Sequence, residues 1–165
     1  MRGRRLKATL NAKFHSLLPG DFTSRLRFAD DCSVSQLPLW MAPFQQGYDL
    51  LGDDSLLGIP LPGHSAGQLG LLLPDADGRP IFLVGDACWS ITACFEGRLP
   101  MWLAMMFSSD KQRYRETFRN LGTLGQREPG LTLLPSHCTI AWEGFHNPAP
   151  TILAVNTSVI SSAAS

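Results

Sequence analysis

The clearest alternation of apolar and polar segments lies near the middle of the chain. Two apolar runs, 69–73 and 81–84, are bounded by glycine and proline, and the turn residues 75–78 separate them. Apolar runs of this length predict buried strands, and an Asp-Gly pair supplies the positive φ of a tight hairpin turn. The pattern therefore predicts an antiparallel hairpin. His64 precedes the first strand and Asp86 follows the second, so we expect them at the same end of the sheet.

Further elements are predicted before the hairpin. Apolar residues recur at helical spacing over 2–18, which predicts an amphipathic helix that Pro19 ends. Residues 21–46 have a mixed pattern and predict a loop-rich segment laid over the core. Residues 48–51 and 55–60 predict two short strands that flank a Gly-Asp-Asp turn.

A helix and a strand are predicted after the hairpin. Ser109 and Gln112 have the spacing of a capping box, and Gly122 and Gly125 are expected to end the helix that follows. Residues 131–134 predict a short buried strand, and His137 lies just past its end.

The stretch 88–107 is rich in methionine and aromatic residues. This composition favours core packing, with a wall for an apolar substrate as the alternative. The pattern ends after Phe145, and the tail 146–165, which has no charged residue, is expected to be flexible.

Composition excludes several classes of protein. With 165 residues and 44% apolar content, the chain can form one domain with a substantial core. The formal net charge of zero leaves no electrostatic footprint for nucleic acid. No apolar run is long enough to span a membrane and no signal peptide is visible, so we expect a cytoplasmic protein with reduced cysteines that does not contact a membrane.

His64 and Asp86 carry the candidate chemistry because imidazole and carboxylate groups at strand ends are typical ligands of divalent metal ions. The alternatives are a cap of the following helix for Asp86 and a structural, hydrogen-bonded role for His64 and His137. Cys138 follows His137 directly, and its thiolate is a possible zinc ligand, although a small buried hydrophobe is the favoured interpretation. His146 and His15 are expected at the surface, with packing as the alternative for His15.

Three motifs carry a family resemblance. The segment 62–70, Pro-Gly-His-Ser-Ala-Gly-Gln-Leu-Gly, resembles the third metal motif of the metallo-β-lactamase superfamily, usually written PGHTxGH. The segment 84–87, Val-Gly-Asp-Ala, resembles the fourth motif, and 133–137, Leu-Leu-Pro-Ser-His, resembles the fifth. Their order and spacing also match, and the resemblance covers roughly residues 45–145.

The resemblance implies both a fold and a metal centre. The implied fold is α/β (α+β), the αββα sandwich of that superfamily. Asp86 would bridge two divalent metal ions, with zinc as the expected metal, while His64 would ligate one ion and His137 the other. The implied activity is metal-dependent hydrolysis of a small-molecule substrate, with a lactone, ester or thioester expected and metal-activated water as the nucleophile.

One departure from the family changes these expectations. The HxHxDH motif, which opens the metal site in the family and supplies most ligands, does not occur in this sequence. We therefore expect 1–145 to be a partial, N-terminally truncated domain whose open sheet edge and apolar face promote self-association. The chain alone is expected to be inactive or weak. The alternative is a catalytically inactive fragment or interaction module that retains half the fold.

Overall fold

One mixed six-stranded sheet organises the residues that the structure describes. The structure is a computed structural model, and it describes residues 19–99 and 108–147. The predicted helix over 2–18, residues 100–107 of the methionine-rich stretch and the tail from residue 148 lie outside the described residues. The strands are β1 (Ser33–Gln36), β2 (Gln46–Asp49), β3 (Leu57–Pro60), β4 (Leu69–Pro74), β5 (Pro80–Gly85) and β6 (Thr132–Pro135).

The strands lie in the sheet in their sequence order. Pairs from β1 to β5 are antiparallel, and β6 joins β5 in parallel. The predicted hairpin is confirmed: Leu71 pairs with Leu83, and the N–H of Gly78 donates to the carbonyl of Asp75 at 3.0 Å in the turn. The two short strands before it are also confirmed, with bounds that differ from the prediction by at most two residues.

Helices complete the α/β class that the sequence predicts. The helices are α1 (Phe22–Arg25), α2 (Ile91–Phe95), α3 (Lys111–Arg127) and α4 (Thr139–His146), with 3-10 turns at Ala29–Asp31 and Leu39–Met41. Apolar residues of α3 and of one sheet face form the core, which includes Ile59, Phe82, Phe118, Leu121 and Leu124. The described residues contain a single sheet, so the complete αββα sandwich stays a prediction.

The interpretation of 21–46 as a loop-rich segment is corrected in one part. Residues 33–36 form β1, in which Val34 pairs with Tyr48 of β2. Val34 is its one apolar residue and is 54% exposed, so the strand lacks the hydrophobic pattern of a buried strand. Backbone pairing with β2 holds it in place instead.

Both predicted ends of α3 are wrong. Asp110 caps the helix, because its carboxylate accepts from the backbone N–H groups of Gln112 and Arg113, each at 3.0 Å. The helix then continues through Gly122 and Gly125 to Arg127. A Cβ at Gly122 would lie 2.5 Å from the carbonyl oxygen of Cys94, so this glycine allows close approach of α2 rather than ending the helix.

Residues on the sheet face opposite the core are more exposed than those that face the core. Residues that pair directly across neighbouring strands point to the same face of a sheet. An unbroken series of such pairs runs from Val34 to Leu71 and on to Leu83, so all three lie on this face. Leu71 and Leu83 are half-buried, and Val34 is exposed.

Over residues 19–99 and 108–147, no helix is both long and apolar enough to cross a membrane. The cytoplasmic location remains a prediction of the sequence.

Candidate metal site

Asp86 lies on a tight turn at the end of β5. Gly85 adopts a positive φ of 57°, and the N–H of Ala87 donates to the carbonyl of Val84 at 3.2 Å. The chain therefore leaves the sheet abruptly, with the Asp86 side chain about one-third exposed. The buried apolar β5 fixes where this turn begins, because its pattern places Phe82 and Val84 in the core.

His64 is carried by the loop between β3 and β4. The N–H of Leu61 donates to the carbonyl of Gln68 at 2.9 Å and closes the base of this loop. Gly63 has a φ of 140°, and a Cβ there would overlap the backbone of Tyr114 in α3. A glycine is therefore required before His64 both for its conformation and for the close approach of the helix.

His137 follows β6, and the parallel pairing of β6 with β5 brings it beside Asp86. Parallel strands end at the same edge of a sheet. The N–H of Ser136 donates to the carbonyl of Gly85 at 3.2 Å, which ties the two chain segments together one residue before each candidate ligand.

The three side chains converge as the sequence predicts. His64 Nε2 lies 3.4 Å from Asp86 Oδ2, and His137 Nε2 lies 3.4 Å from Asp86 Oδ1. Each imidazole thus faces a different oxygen of one carboxylate. Within the described part of the chain, however, no three His, Cys, Asp or Glu side chains form a group that could hold a metal ion. The arrangement is two pairs that share Asp86.

The two pairs fit a divalent ion in chemistry and spacing. Asp86 Oδ1 is buried and has no hydrogen-bond partner among the described residues, and a nearby cation would stabilise a charged oxygen in this state. The 3.4 Å separations exceed the roughly 2.7–2.9 Å of a charge-assisted hydrogen bond. Two ligands each about 2.1 Å from a tetrahedral zinc ion are themselves roughly 3.4 Å apart.

The number of ligands fits less well than their spacing. A catalytic zinc ion usually has three protein ligands. Each imidazole–carboxylate pair here supplies two. The described residues therefore bring two imidazole–carboxylate pairs together on one carboxylate, fewer ligands than one catalytic zinc ion usually has.

Trp89 is a neighbour of both histidines that the motif analysis did not single out. Its ring centroid lies 6.4 Å from that of His64 and 6.3 Å from that of His137, with edge-on geometry in both pairs. The side chain is 37% exposed, whereas Cys88 and Cys94 of the same stretch are buried. The core interpretation therefore holds for these two cysteines, and Trp89 instead lies at the site. The sequence signal for this placement was that Trp89 lies only three residues after Asp86.

Cys138 is a buried residue, as the favoured interpretation expects. It is 5% exposed, and its sulfur accepts a hydrogen bond from the N–H of Ile91 at 3.4 Å. His146 is exposed, as expected, and stacks on Trp142. His15 lies outside the described residues.

Two further thiols lie near the site but face the core. A hydrogen bond with Cys94 lowers the pKa of the Cys88 thiol below its usual value, and the same contact raises the pKa of Cys94. Burial raises the pKa of the Tyr114 hydroxyl. These residues are 1–3% exposed, so we assign them to packing.

Comparison with known proteins agrees with the motifs over part of the chain. Over 98 residues, or 59% of its length, the chain is 29% identical to the N-acyl homoserine lactonase AttM of Rhizobium radiobacter. The figures are the same for the N-acyl homoserine lactonase AttM of Rhizobium johnstonii. The chain spans only 35% of the length of these relatives. It is thus partly similar to lactonases of the metallo-β-lactamase superfamily.

Two solved structures are also similar to part of the chain. One is an N-acyl homoserine lactone hydrolase with the product N-hexanoyl-L-homoserine bound at its catalytic metal centre. The other is a mutant of AiiA from B. thuringiensis with N-decanoyl-L-homoserine at its active site. Each has a TM-score of 0.46 and 17% identity, over 59% of this chain and 36% of the other. No family model matches the chain.

Proposed function

We propose that this chain contributes metal ligands to a metal-dependent hydrolase that opens lactones or cleaves esters or thioesters. The observation that carries the proposal is the shared carboxylate of Asp86, with one imidazole facing each of its oxygens. Partial similarity to N-acyl homoserine lactonases supports a lactone as the small-molecule substrate.

In this proposal Asp86 would be a ligand of both ions, and His64 and His137 would each hold one. A bound zinc ion would lower the pKa of a water molecule and polarise the carbonyl group of the substrate. The chain's own contribution is to hold three ligands at one edge of the sheet. Loops at the ends of a rigid sheet commonly carry such groups because the scaffold fixes their positions.

Trp89 supports the choice of an acylated substrate. Its partly exposed indole borders both histidines and offers an apolar surface beside the proposed reacting centre. An aromatic face of this kind can bury part of an acyl chain while polar groups fix the reacting end.

A second candidate is an interaction module without catalytic activity. The observation that favours it is the ligand number, since each pair in the described residues supplies two ligands and no larger group is present there. Under either candidate, we expect the 165-residue chain to bind zinc weakly. Hydrolysis should be slow as well, because loss of a general acid or base alone commonly removes about two to four orders of magnitude in rate.

Calorimetric titration of the chain with zinc tests the proposed site. We expect saturable binding that Asp86→Asn abolishes, because this change removes the charge shared by both pairs. His146→Gln is the matched control, since His146 is an exposed histidine that contacts Trp142 rather than Asp86. Equal zinc binding by the wild type and Asp86→Asn would overturn the assignment.

Hydrolysis of N-acyl homoserine lactones separates the two candidates. Slow turnover that a chelator stops and Asp86→Asn removes would support the hydrolase. Zinc binding without any turnover would favour the interaction module. Fast, chelator-sensitive turnover would contradict the two-pair site, because it would require ligands beyond these three.

A further inference from the structure

The loop that carries His64 is hydrogen-bonded to α3 and to the two residues before it. The acceptors are three consecutive backbone carbonyls, those of Pro62–His64. The carbonyl of Gly63 accepts from the Ser109 hydroxyl and from the Asp110 N–H, each at 3.0 Å. The carbonyl of His64 itself accepts from the Ser109 N–H at 3.0 Å. Ser109 therefore uses its N–H to hold the backbone of His64 and its hydroxyl to hold the residue before it.

Thr117 provides the third attachment from inside the helix. Its hydroxyl donates to the carbonyl of Pro62 at 2.8 Å, and the residue is 5% exposed. Threonine hydroxyls inside helices often bond the carbonyl four residues earlier. Here the hydroxyl is directed out of the helix, to the residue two before His64.

Asp86 and His137 are held by a different part of the fold. Ser136 bonds Gly85 across the ends of β5 and β6, and the indole N–H of Trp142 donates to the carbonyl of Pro135 at 2.9 Å. Among the hydrogen bonds of the described residues, none joins α3 to 85–87 or to 135–138. The ends of β5 and β6 thus carry two of the three side chains, while α3 and the residues just before it add hydrogen bonds to the loop that carries the third.

We propose that Ser109 and Thr117 are positioning residues that set the imidazole of His64 relative to Asp86. The effect on metal binding that this inference predicts rests on the proposed function. The geometric claim, that these residues position His64, rests on the hydrogen bonds alone. Neither residue would touch an ion or substrate. Each acts through the carbonyls of Pro62–His64, whose displacement would change the 3.4 Å separation between His64 and Asp86.

Metal-free NMR tests the geometric claim. Trp89 serves as a common reference because its ring neighbours both histidines. We expect Thr117→Val and Ser109→Ala to weaken the nuclear Overhauser effects between Trp89 and His64 while leaving those between Trp89 and His137 unchanged. Thr117→Ser, which keeps the hydroxyl, should retain both sets. Unchanged effects at His64, or equal losses at both histidines, would overturn the proposal.

Zinc titration tests the consequence. Loss of groups that orient a metal ligand typically costs about 10–100-fold in metal affinity. We expect a decrease in this range for Thr117→Val and Ser109→Ala, and near-normal affinity for Thr117→Ser. Wild-type affinity in both hydroxyl-free variants would contradict the proposal.

Failure of the positioning proposal can be told apart from misfolding and from failure of the proposed function. Ser109 is exposed, so Ser109→Ala tests the proposal even where the buried change Thr117→Val prevents folding. A wild-type chain that binds no zinc would refute the proposed function. The NMR comparison would still decide whether Ser109 and Thr117 position His64.

Discussion

Replacement of Gly122 by alanine should destabilise the protein, although the same change stabilises most helices. Alanine is favoured over glycine in a helix interior by about 1 kcal/mol. A Cβ at Gly122 would lie 2.5 Å from the carbonyl oxygen and 3.3 Å from the carbonyl carbon of Cys94. These atoms belong to the backbone of α2, so α2 and α3 must move apart.

The expected change in the free energy of unfolding follows from these two opposing effects. Overpacking a core typically costs about 1–3 kcal/mol, and the obstacle here is backbone, so we take about 2–3 kcal/mol. Subtracting the helix-propensity gain of about 1 kcal/mol leaves a net destabilisation of about 1–2 kcal/mol. The change should therefore lower the midpoint of urea unfolding.

Gly144→Ala is the matched control. Gly144 lies in α4, and nothing lies within 4 Å of a Cβ built on it. We expect this variant to gain about 0.5–1 kcal/mol in the free energy of unfolding. Circular dichroism in urea measures both variants. A Gly122→Ala protein as stable as the Gly144→Ala protein would refute the close packing of α2 on α3.

Two further predictions concern the hairpin turn and the open sheet face. The backbone N–H and guanidinium of Arg79 hold the pKa of Asp75 below its usual value, so Asp75 contributes stability above the unfolded-state pKa and loses it as pH falls through the folded-state pKa. Asp75→Asn should lower the thermal midpoint at pH 7. It should leave the midpoint unchanged at a pH well below the ordinary carboxyl pKa of about 3.9. An equal loss at both pH values would contradict this. The partly covered sheet face that includes Val34, Leu71 and Leu83 should promote self-association, and light scattering showing a monomer at high concentration would contradict that expectation.

The candidate site was predictable because strand ends and turns are local features of the sequence. The apolar run before Asp86 and the proline and glycine before His64 fix where each strand ends or begins, without reference to distant residues. His137 required one more step, because its place depends on β6 joining β5 in parallel. A short apolar strand that follows a helix is consistent with that pairing, since a helical crossover connects parallel neighbours.

The errors in α3 arose where tertiary contacts override local preference. Glycine ordinarily marks a helix end, yet Gly122 is retained inside the helix because a neighbouring backbone occupies the space of a side chain. Ser109 and Asp110 are adjacent residues that can both cap helices. The Ser109 hydroxyl instead bonds Gly63, and Asp110 caps the helix. That division of roles depends on the His64 loop, which lies more than forty residues earlier in the chain.

The shared carboxylate makes the contributions of the three candidate ligands unequal. Each histidine belongs to one pair, so its loss leaves the other pair intact. Asp86 belongs to both pairs, and one of its oxygens is buried without a hydrogen-bond partner among the described residues. A buried charged oxygen without a hydrogen bond is costly, so this oxygen should favour any cation that enters, although the Asp86 side chain is one-third exposed. Cation binding and folding would then be coupled through Asp86 more strongly than through either histidine.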